Sequence, residues 1–425
     1  MPRRSSIVSD ARSELADFEI VDAPERLKEL AGEFLAEPVL AVDTEADSFY
    51  HYFDKTCLVQ IATSKHSYLI DTLAFDGPEA MAPLGPVFAS PDVRVIFHAA
   101  EYDIYVLKRD YGYTFANIFD TMVSAQLLGY SAIGLAALIE QHFGVKVPKD
   151  EQRSDWSRRP LTERQLDYAA GDVIYLARVT KKVERELKKA GRLSWAEEEF
   201  DTLCGREWPD RKFDKQGYFR IKGARKLDPK SLSVLKELFL MRDARAREID
   251  RPPFKVLGNR TLLEIAAAKP GRPGQLKGIK GITDLLVRRM GNDILAAVAK
   301  GRGVEHPPIP KNPGNGRRRI DRKTERRVTE LKSWRAKRSK ELALSPGVLC
   351  PNASLEAIAW RNPKTGADLE DVPELKGWFV REFGDEVSAR LRDLAPAGKT
   401  EGKPATESSE AAAKKSSKKR SASKS

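Results

Sequence analysis

Cysteine and histidine are scarce in this chain, which has three cysteines and five histidines in 425 residues. The cysteines, Cys57, Cys204 and Cys350, are too far apart for the paired spacing of a zinc site, and the histidines are dispersed. A site of clustered histidine and cysteine ligands for a soft metal is therefore excluded. Widely separated cysteines are typical of a reducing compartment, where we expect them to be buried free thiols.

Long hydrophobic runs are also absent. No apolar stretch approaches the roughly 18 residues that a membrane span needs, and residues 1 to 17 lack the apolar centre of a signal peptide. We therefore expect a soluble, cytoplasmic protein with no membrane partner. We also expect it to be a monomer. With 41% hydrophobic and 32% charged residues, a chain of this length has material for about three domains.

Acidic and basic residues are divided unevenly along the chain. Residues 1 to 190 contain 22 lysines and arginines against 30 acidic residues, a net charge of −8, whereas the other 235 residues contain 52 against 32, a net charge of +20. The densest basic stretch, Arg317 to Lys340, has twelve basic and three acidic residues. Such a module favours binding to the phosphates of a nucleic acid, and a solvated helix face is the alternative.

Carboxylates follow two predicted strands of the acidic half. Asp43 and Glu45 come after the apolar run 39 to 42, and a strand directs residues two apart to the same face, where they can share one cation. Asp103 follows a second apolar run, 93 to 97, on the first turns of a predicted helix. Ligands of an open α/β sheet usually lie at the carboxyl ends of such strands.

A third cluster lies on a predicted helix. Its start is marked by Thr162 and Gln165, which are three residues apart, the spacing of a capping box. Tyr168 and Asp172 are four residues apart, so they lie on one face of this helix. Clustered carboxylates repel one another unless a cation compensates them, and hard divalent cations prefer oxygen ligands. The three clusters therefore predict one site for Mg²⁺ or Mn²⁺.

Five short apolar runs predict strands, near residues 39 to 42, 57 to 62, 68 to 70, 93 to 97 and 117 to 119. The first three are close in sequence, which favours an antiparallel meander, and the later ones are joined through helical segments, which favours parallel pairing. We expect an α/β domain with a mixed five-stranded sheet and flanking helices. The pattern is helical from 124 to 143 and from 162 to 189.

Together the clusters resemble the tyrosine branch of the DEDD superfamily of 3′-to-5′ exonucleases, in which a tyrosine precedes the last aspartate by four residues. The histidine branch would have a histidine at the position of Asp167. Within the superfamily, the connecting stretches resemble ribonuclease D, and the resemblance covers most of residues 20 to 300. These stretches are Cys57 to Ala62, Asp120-Thr121 and Ser154 to Leu161. The resemblance implies a ribonuclease H-like catalytic domain.

The resemblance also implies hydrolysis of RNA 3′ ends, such as those of tRNA precursors, to nucleoside 5′-monophosphates. Two metal ions about 4 Å apart would clamp the scissile phosphate, with Asp43 bridging them and Glu45, Asp103 and Asp172 completing their shells. Tyr168 would orient the attacking water, because an ordinary phenol pKa of about 10 makes it a poor base. A DNA exonuclease of the same superfamily and a non-catalytic RNA-binding scaffold are the alternatives.

Further residues near the clusters are candidates for contacts to nucleic acid. Arg158 and Arg159 carry guanidinium groups that pair with phosphate through two hydrogen bonds, although a solvated face is the alternative for both. Trp156 is either a core residue or a nucleotide contact, and His98 is either a packed imidazole or a substrate contact. Glu101 is an extra acid that helical spacing directs away from Asp103, so we do not expect it to be a ligand.

The basic half contains a repeat with a constant offset of 93 residues. Four pairs of positions match: Met241-Arg242 with Trp334-Arg335, Thr261-Leu262 with Ser354-Leu355, Ile265-Ala266 with Ile358-Ala359, and Met290-Gly291 with Phe383-Gly384. The first copy resembles the HRDC domain, a small helical bundle of RecQ-type helicases and ribonuclease D, and the second resembles a divergent copy. HRDC domains are usually taken to bind nucleic acid, and which copy contacts substrate is open.

These features predict six segments along the chain. They are the exonuclease domain at 1–190, a connecting segment at 191–224, the first HRDC domain at 225–301, a linker at 302–317, the second HRDC-like domain at 318–394, and a disordered basic tail at 395–425. We also expect that removal of residues 302 to 425 weakens RNA binding and spares cleavage of short oligonucleotides.

Overall fold

The computed structural model describes residues 18–147, 150–209, 212–304, 321–372 and 375–394. The predictions for residues 1 to 17, for most of the linker and for the tail from residue 395 lie outside these ranges. Six strands form one sheet: β1 (Phe18–Val21), β2 (Val39–Ala46), β3 (Thr56–Ala62), β4 (Ser67–Ile70), β5 (Arg94–Phe97) and β6 (Ile118–Asp120).

The sheet is mixed and has the strand order β1-β4-β3-β2-β5-β6. Strands β2, β3 and β4 form an antiparallel meander, while β5 and β6 continue the sheet in parallel on one side and β1 pairs in parallel with β4 on the other. The predicted fold class is therefore confirmed, but the strand count of five was wrong. Strand β1 was missed because it has four residues, of which only Val21 is buried, so no pattern marks it.

In the described part of the chain, eight α-helices flank the sheet or lie in the segment that follows it. They are α1 (Pro24–Leu35), α2 (Gly85–Ala89), α3 (Glu101–Tyr111), α4 (Thr121–Leu128), α5 (Leu135–Phe143), α6 (Glu163–Ile174), α7 (Leu176–Lys189) and α8 (Leu193–Cys204). The segment predicted as helical from 124 to 143 is two helices, because Gly129 ends α4 with φ of 78°. Helix α8 lies in the predicted connecting segment and packs on β6, α4 and α7.

Two helical units follow, and their elements recur at the offset of 93 residues. They are α9 (Pro229–Glu248), α10 (Pro253–Val256), α11 (Asn259–Ala268) and α12 (Asp284–Arg302), then α13 (Arg322–Glu341), α14 (Pro346–Leu349), α15 (Asn352–Arg361) and α16 (Gly377–Arg392). Even single hydrogen bonds recur. Arg242 donates to the carbonyl of Leu257 and to Asn259, and Arg335 donates to the corresponding carbonyl and asparagine of the second unit.

The second helical unit shares its hydrophobic core with the catalytic domain, whereas the first has a core of its own. Trp378, at the start of α16, stacks on Trp195 of α8 with ring centroids 4.5 Å apart and planes at 10°. The backbones also meet, since a Cβ on Gly129 would lie 1.8 Å from the carbonyl oxygen of Ala343. The second unit is thus built into the catalytic domain.

The first helical unit meets the catalytic domain through polar contacts. The carboxylate of Asp250 accepts the backbone N–H groups of Tyr52 and Phe53, in the connection between β2 and β3, and lies 2.6 Å from Nδ1 of His51. The thiols of all three cysteines are free. None of the helices within the described ranges has the length and apolar composition needed to cross a membrane.

Candidate active site

Three of the predicted carboxylates meet in the structure. Asp43 and Glu45 lie on β2 and Asp172 lies on α6, and each offers an oxygen atom such that the three atoms are within 4.8 Å of one another. The two strand residues point to one face because successive side chains of a strand alternate. The sheet therefore presents two acids directly beneath the helix that carries the third.

Helix α6 begins as its sequence predicts. The Thr162 hydroxyl accepts from the backbone N–H of Gln165, and the Gln165 side chain accepts from the backbone N–H of Thr162, which completes the capping box. On the buried face, Ala169 and Ala170 pack in one cluster with residues of β3 and β4. Small side chains at this contact let the helix backbone lie close to the sheet, so that Asp172 reaches the acids of β2.

The fourth carboxylate, Asp103, lies beside this group but is not within the same 4.8 Å limit. It occupies the first turn of α3 and is 5% exposed. Its carboxylate accepts a hydrogen bond of 2.6 Å from the hydroxyl of Thr44, the residue between Asp43 and Glu45 on β2. Glu101 points away, as expected, and forms an ion pair of 2.7 Å with Arg206.

The electrostatics of the cluster call for a cation. Burial, followed by the charges of the neighbouring carboxylates, raises the pKa of Asp43 and of Glu45 well above their ordinary values. Burial also raises the pKa of Asp103 to about 7 and that of Asp172 to about 6. Among the described residues, no basic side chain forms an ion pair with these four carboxylates. They match the ligand set of a hard divalent ion, which would favour their charged forms.

Tyr168 lies one helical turn before Asp172, so the phenol and this carboxylate are on the same face of α6. Burial and then the charges of Asp172 and Glu45 raise the pKa of the phenol. The hydroxyl therefore stays protonated at neutral pH and acts as a hydrogen-bond donor. Trp156 packs against the tyrosine ring with centroids 6.1 Å apart.

The candidate contacts to nucleic acid have different surroundings. Trp156 is buried in the cluster beneath α6. Arg159 donates to both carboxylate oxygens of Asp71 and to the carbonyls of Cys57 and Trp156, so its guanidinium is fully engaged within the protein. The Arg158 side chain is 80% exposed and pairs with a nearby acid at 3.2 Å. It is the one of the two arginines that is accessible to a ligand.

His98 is mostly buried and lies with Nδ1 2.9 Å from the hydroxyl of Thr121. Burial lowers the pKa of this histidine to about 4, so the imidazole is neutral at physiological pH. Sequence reasoning singled out Asp120-Thr121 only as part of a resemblance. In the structure, the carboxylate of Asp120 is buried and accepts hydrogen bonds from the backbone of the loop that precedes α3.

Gln60 of β3, which the sequence analysis named only as part of the stretch Cys57 to Ala62, lies directly opposite Asp43 in the antiparallel register. Opposite residues of an antiparallel pair share one face of the sheet, so Gln60 lies on the face of the acidic cluster. It is fully buried, and among the described residues neither polar atom of its amide has a hydrogen-bond partner.

The fold and the acidic cluster define the class of metal-dependent 3′-to-5′ exonucleases, and comparison with known proteins agrees. The family model for 3′-5′ exonucleases matches residues 18–188, and the HRDC domain model matches twice, at residues 231–298 and 324–391. The first residues of the two HRDC matches are 93 positions apart, and so are their last residues. The domain boundaries that we assigned from the sequence remain predictions.

The chain belongs to the ribonuclease D family. It is 31% identical to ribonuclease D of Granulibacter bethesdensis over 382 residues, which is 89% of this chain and 94% of that protein. The structure of Escherichia coli RNase D superposes with a TM-score of 0.63 at 25% identity, covering 89% of this chain and 99% of that one. The catalytic core of RRP6 from Trypanosoma brucei superposes with a TM-score of 0.61 at 28% identity, covering 70% and 87%. The protein is therefore a hydrolytic, metal-dependent 3′-to-5′ exoribonuclease.

Proposed function

We propose that this exoribonuclease trims the 3′ ends of structured RNA, tRNA precursors among them, and releases nucleoside 5′-monophosphates. In this proposal Mg²⁺ or Mn²⁺ is held by Asp43, Glu45, Asp103 and Asp172, and Tyr168 is the fifth catalytic residue. The observation that carries the proposal is that acids from a strand and a helix, 129 residues apart in sequence, bring their oxygens within 4.8 Å beside a protonated phenol.

The residues of the chain have separable tasks. Bound divalent ions would activate water and stabilise the charge that develops on the leaving oxygen. Asp43 and Glu45 project from the part of β2 that pairs with β3, so the backbone that carries them is fixed before substrate arrives. Tyr168, which lies one helical turn from Asp172 on α6, would orient the attacking water for in-line attack, a positioning role.

The charge distribution supports a polyanionic substrate. The acidic cluster repels phosphate in the absence of metal, whereas the residues after position 190 carry a net charge of +20 and favour phosphate binding with release of counterions. The E. coli relative is described as an exoribonuclease involved in structured RNA processing, which supports the same substrate class here. The cytoplasmic, monomeric state expected from the sequence stays a prediction.

The alternatives of a DNA exonuclease and a non-catalytic scaffold are separated by one experiment. Matched RNA and DNA oligonucleotides with the same 3′ sequence are incubated with Mg²⁺, with Mn²⁺ or with EDTA. We expect stepwise shortening of RNA from the 3′ end with metal and none with EDTA. Faster cleavage of DNA would support the DNA alternative, and RNA binding without cleavage would support the scaffold.

Two variants make this assay specific to the proposed residues. Asp43→Asn should keep the fold and lose metal-dependent cleavage, because one carboxylate of the cluster becomes a neutral amide. Glu101→Gln removes an acid close in sequence to Asp103 whose partner is Arg206, so its rate should equal that of the unmodified protein. A fully active Asp43→Asn protein would refute the site.

A further inference from the structure

Asp120, the last residue of β6, joins the N-terminus of α4 to the loop before α3 with one carboxylate. The side chain is 1% exposed. Its Oδ1 accepts the backbone N–H groups of Met122 and Val123, at 2.7 and 3.0 Å, which caps α4. The same carboxylate accepts from Ala99 through Oδ1 at 3.2 Å and from Ala100 through Oδ2 at 2.8 Å. A helix cap alone would need only the first pair.

The second pair of bonds fixes a loop in an unfavourable conformation. Ala99 has φ of 67°, in the left-handed region that residues with a Cβ avoid. Thr121 supports the same loop, because its hydroxyl donates to the carbonyl of Phe97 at 3.1 Å and lies 2.9 Å from the ring of His98. The side chains of Asp120 and Thr121 therefore stabilise this unfavourable loop conformation.

This loop leads directly into the helical turn that carries Asp103. Ala100 is buried and begins the first turn of α3, and its carbonyl accepts the N–H of Ile104 at 2.9 Å. Asp103 is on that first turn, so a change at Ala100 rotates or shifts it. Asp103 also lies outside the 4.8 Å group of Asp43, Glu45 and Asp172, and a small displacement would move it further away.

We propose that Asp120 is a positioning residue of the nuclease reaction, which holds the turn at Ala99 and Ala100 so that Asp103 faces the metal site next to Asp43. The inference rests on the proposed role of Asp103 as a metal ligand. It also gives His98 and Thr121 a place in the same support. Partners that hydrogen-bond around metal ligands typically contribute about tenfold or more to metal affinity or activity.

Asp120→Asn tests the role with little change of shape. Oδ1 can still accept from Ala99, Met122 and Val123, whereas the new amide nitrogen faces the N–H of Ala100, donor against donor. The matched control is Asp228→Asn, which weakens the cap of α9 in the first helical unit, where Oδ1 accepts from Ser231 at 3.0 Å. Both variants lose one capping carboxylate, but only one of these acids touches the loop before α3.

Two readouts distinguish positioning from general support of the fold. The first is the Mn²⁺ concentration that gives half of the metal-induced thermal stabilisation, measured without substrate. The second is the division between kcat and KM on a short RNA oligonucleotide. We expect Asp120→Asn to raise the Mn²⁺ midpoint about tenfold and to lower kcat with little change in KM, while Asp228→Asn changes neither.

A folded Asp120→Asn protein with an unchanged Mn²⁺ midpoint would overturn the inference, as would an equal change in Asp228→Asn. If Asp120→Asn does not fold, Thr121→Val carries the test, since it removes the hydroxyl at the same loop and keeps the volume, and an unchanged midpoint would again overturn it. Asp43→Asn distinguishes failure of the proposed function from failure of the positioning role of Asp120. If that variant keeps its metal stabilisation, the proposed function fails, and if it loses it while the Asp120 and Thr121 variants do not, only the positioning role fails.

Discussion

Replacement of Trp378 by alanine should cost far more stability than the equivalent change in the first helical unit. Trp378 is fully buried, stacks on Trp195, and donates its indole N–H to Glu199 at 2.7 Å. Truncation of a buried tryptophan to alanine costs about 3 to 5 kcal/mol through lost transfer energy and the cavity left behind. The position 93 residues earlier is Leu285, which is 48% exposed, so Leu285→Ala should cost no more than about 0.5 kcal/mol.

Urea denaturation of both variants, followed by far-ultraviolet circular dichroism, measures this difference without relying on tryptophan fluorescence. Because the second unit and the catalytic domain share one core, they should unfold in one transition, and Trp378→Ala should move that transition. The first unit has a separate core and should be unaffected. A cost below about 1 kcal/mol, or separate unfolding of the second unit in the unmodified protein, would refute the shared core.

Three further predictions follow from the site. Tyr168→Phe should lower kcat by about 10²-fold with KM unchanged, because the water loses its orienting hydroxyl; single-turnover cleavage measures this, and an unchanged rate would contradict it. Burial raises the pKa of Asp103 to about 7 and that of Asp172 to about 6. An aspartate of the unfolded chain has a pKa of about 4, so between these values the metal-free folded protein holds protons that the unfolded chain has released. The stability that these two carboxyl groups contribute in EDTA should therefore be fully present below about pH 4 and be lost as pH rises through 6 to 7. Thermal stabilisation by Mg²⁺ should be larger at pH 8 than at pH 5, and equal stabilisation at the two pH values would argue against these shifts. Arg159→Ala should cost about 2 kcal/mol because it leaves a paired acid without its charged partner, whereas Arg158→Ala should change stability little and weaken RNA binding; the reverse order in denaturation and binding assays would contradict the assignment.

Much of the catalytic domain was predictable because local patterns control it. The capping box at Thr162 and Gln165, the alternation that places Asp43 and Glu45 on one face, and the spacing of Tyr168 from its aspartate are properties of single elements. The edge strand β1 was not predictable, because its pairing with β4 joins segments 49 residues apart and leaves only one of its side chains buried. Its four residues carry no period of their own.

The surroundings of the site were less predictable, since they depend on contacts between distant segments. Arg159 has the composition of a phosphate ligand, but its partner Asp71 lies 88 residues earlier in the chain. Asp120 looked like part of a motif, and its bonds to Ala99 and Ala100 appear only once β5 and β6 are adjacent in the sheet. Sequence spacing shows which side chains lie on the same helix or strand, but it does not show which other helix or strand packs beside it.

The shared core also changes what the second helical unit can be. A removable capture module would keep its own core, but deletion of residues 302 to 425 would expose Trp195 and leave the Arg192 guanidinium without the carbonyl of Leu342 that it contacts at 2.7 Å. Two of the basic residues on α13 are also used internally, since Arg335 bonds to a carbonyl and Arg338 to two acids of the same unit. This deletion would therefore disturb the catalytic domain as well as RNA binding, so charge reversal of exposed lysines in the intact chain is the more specific test of RNA capture.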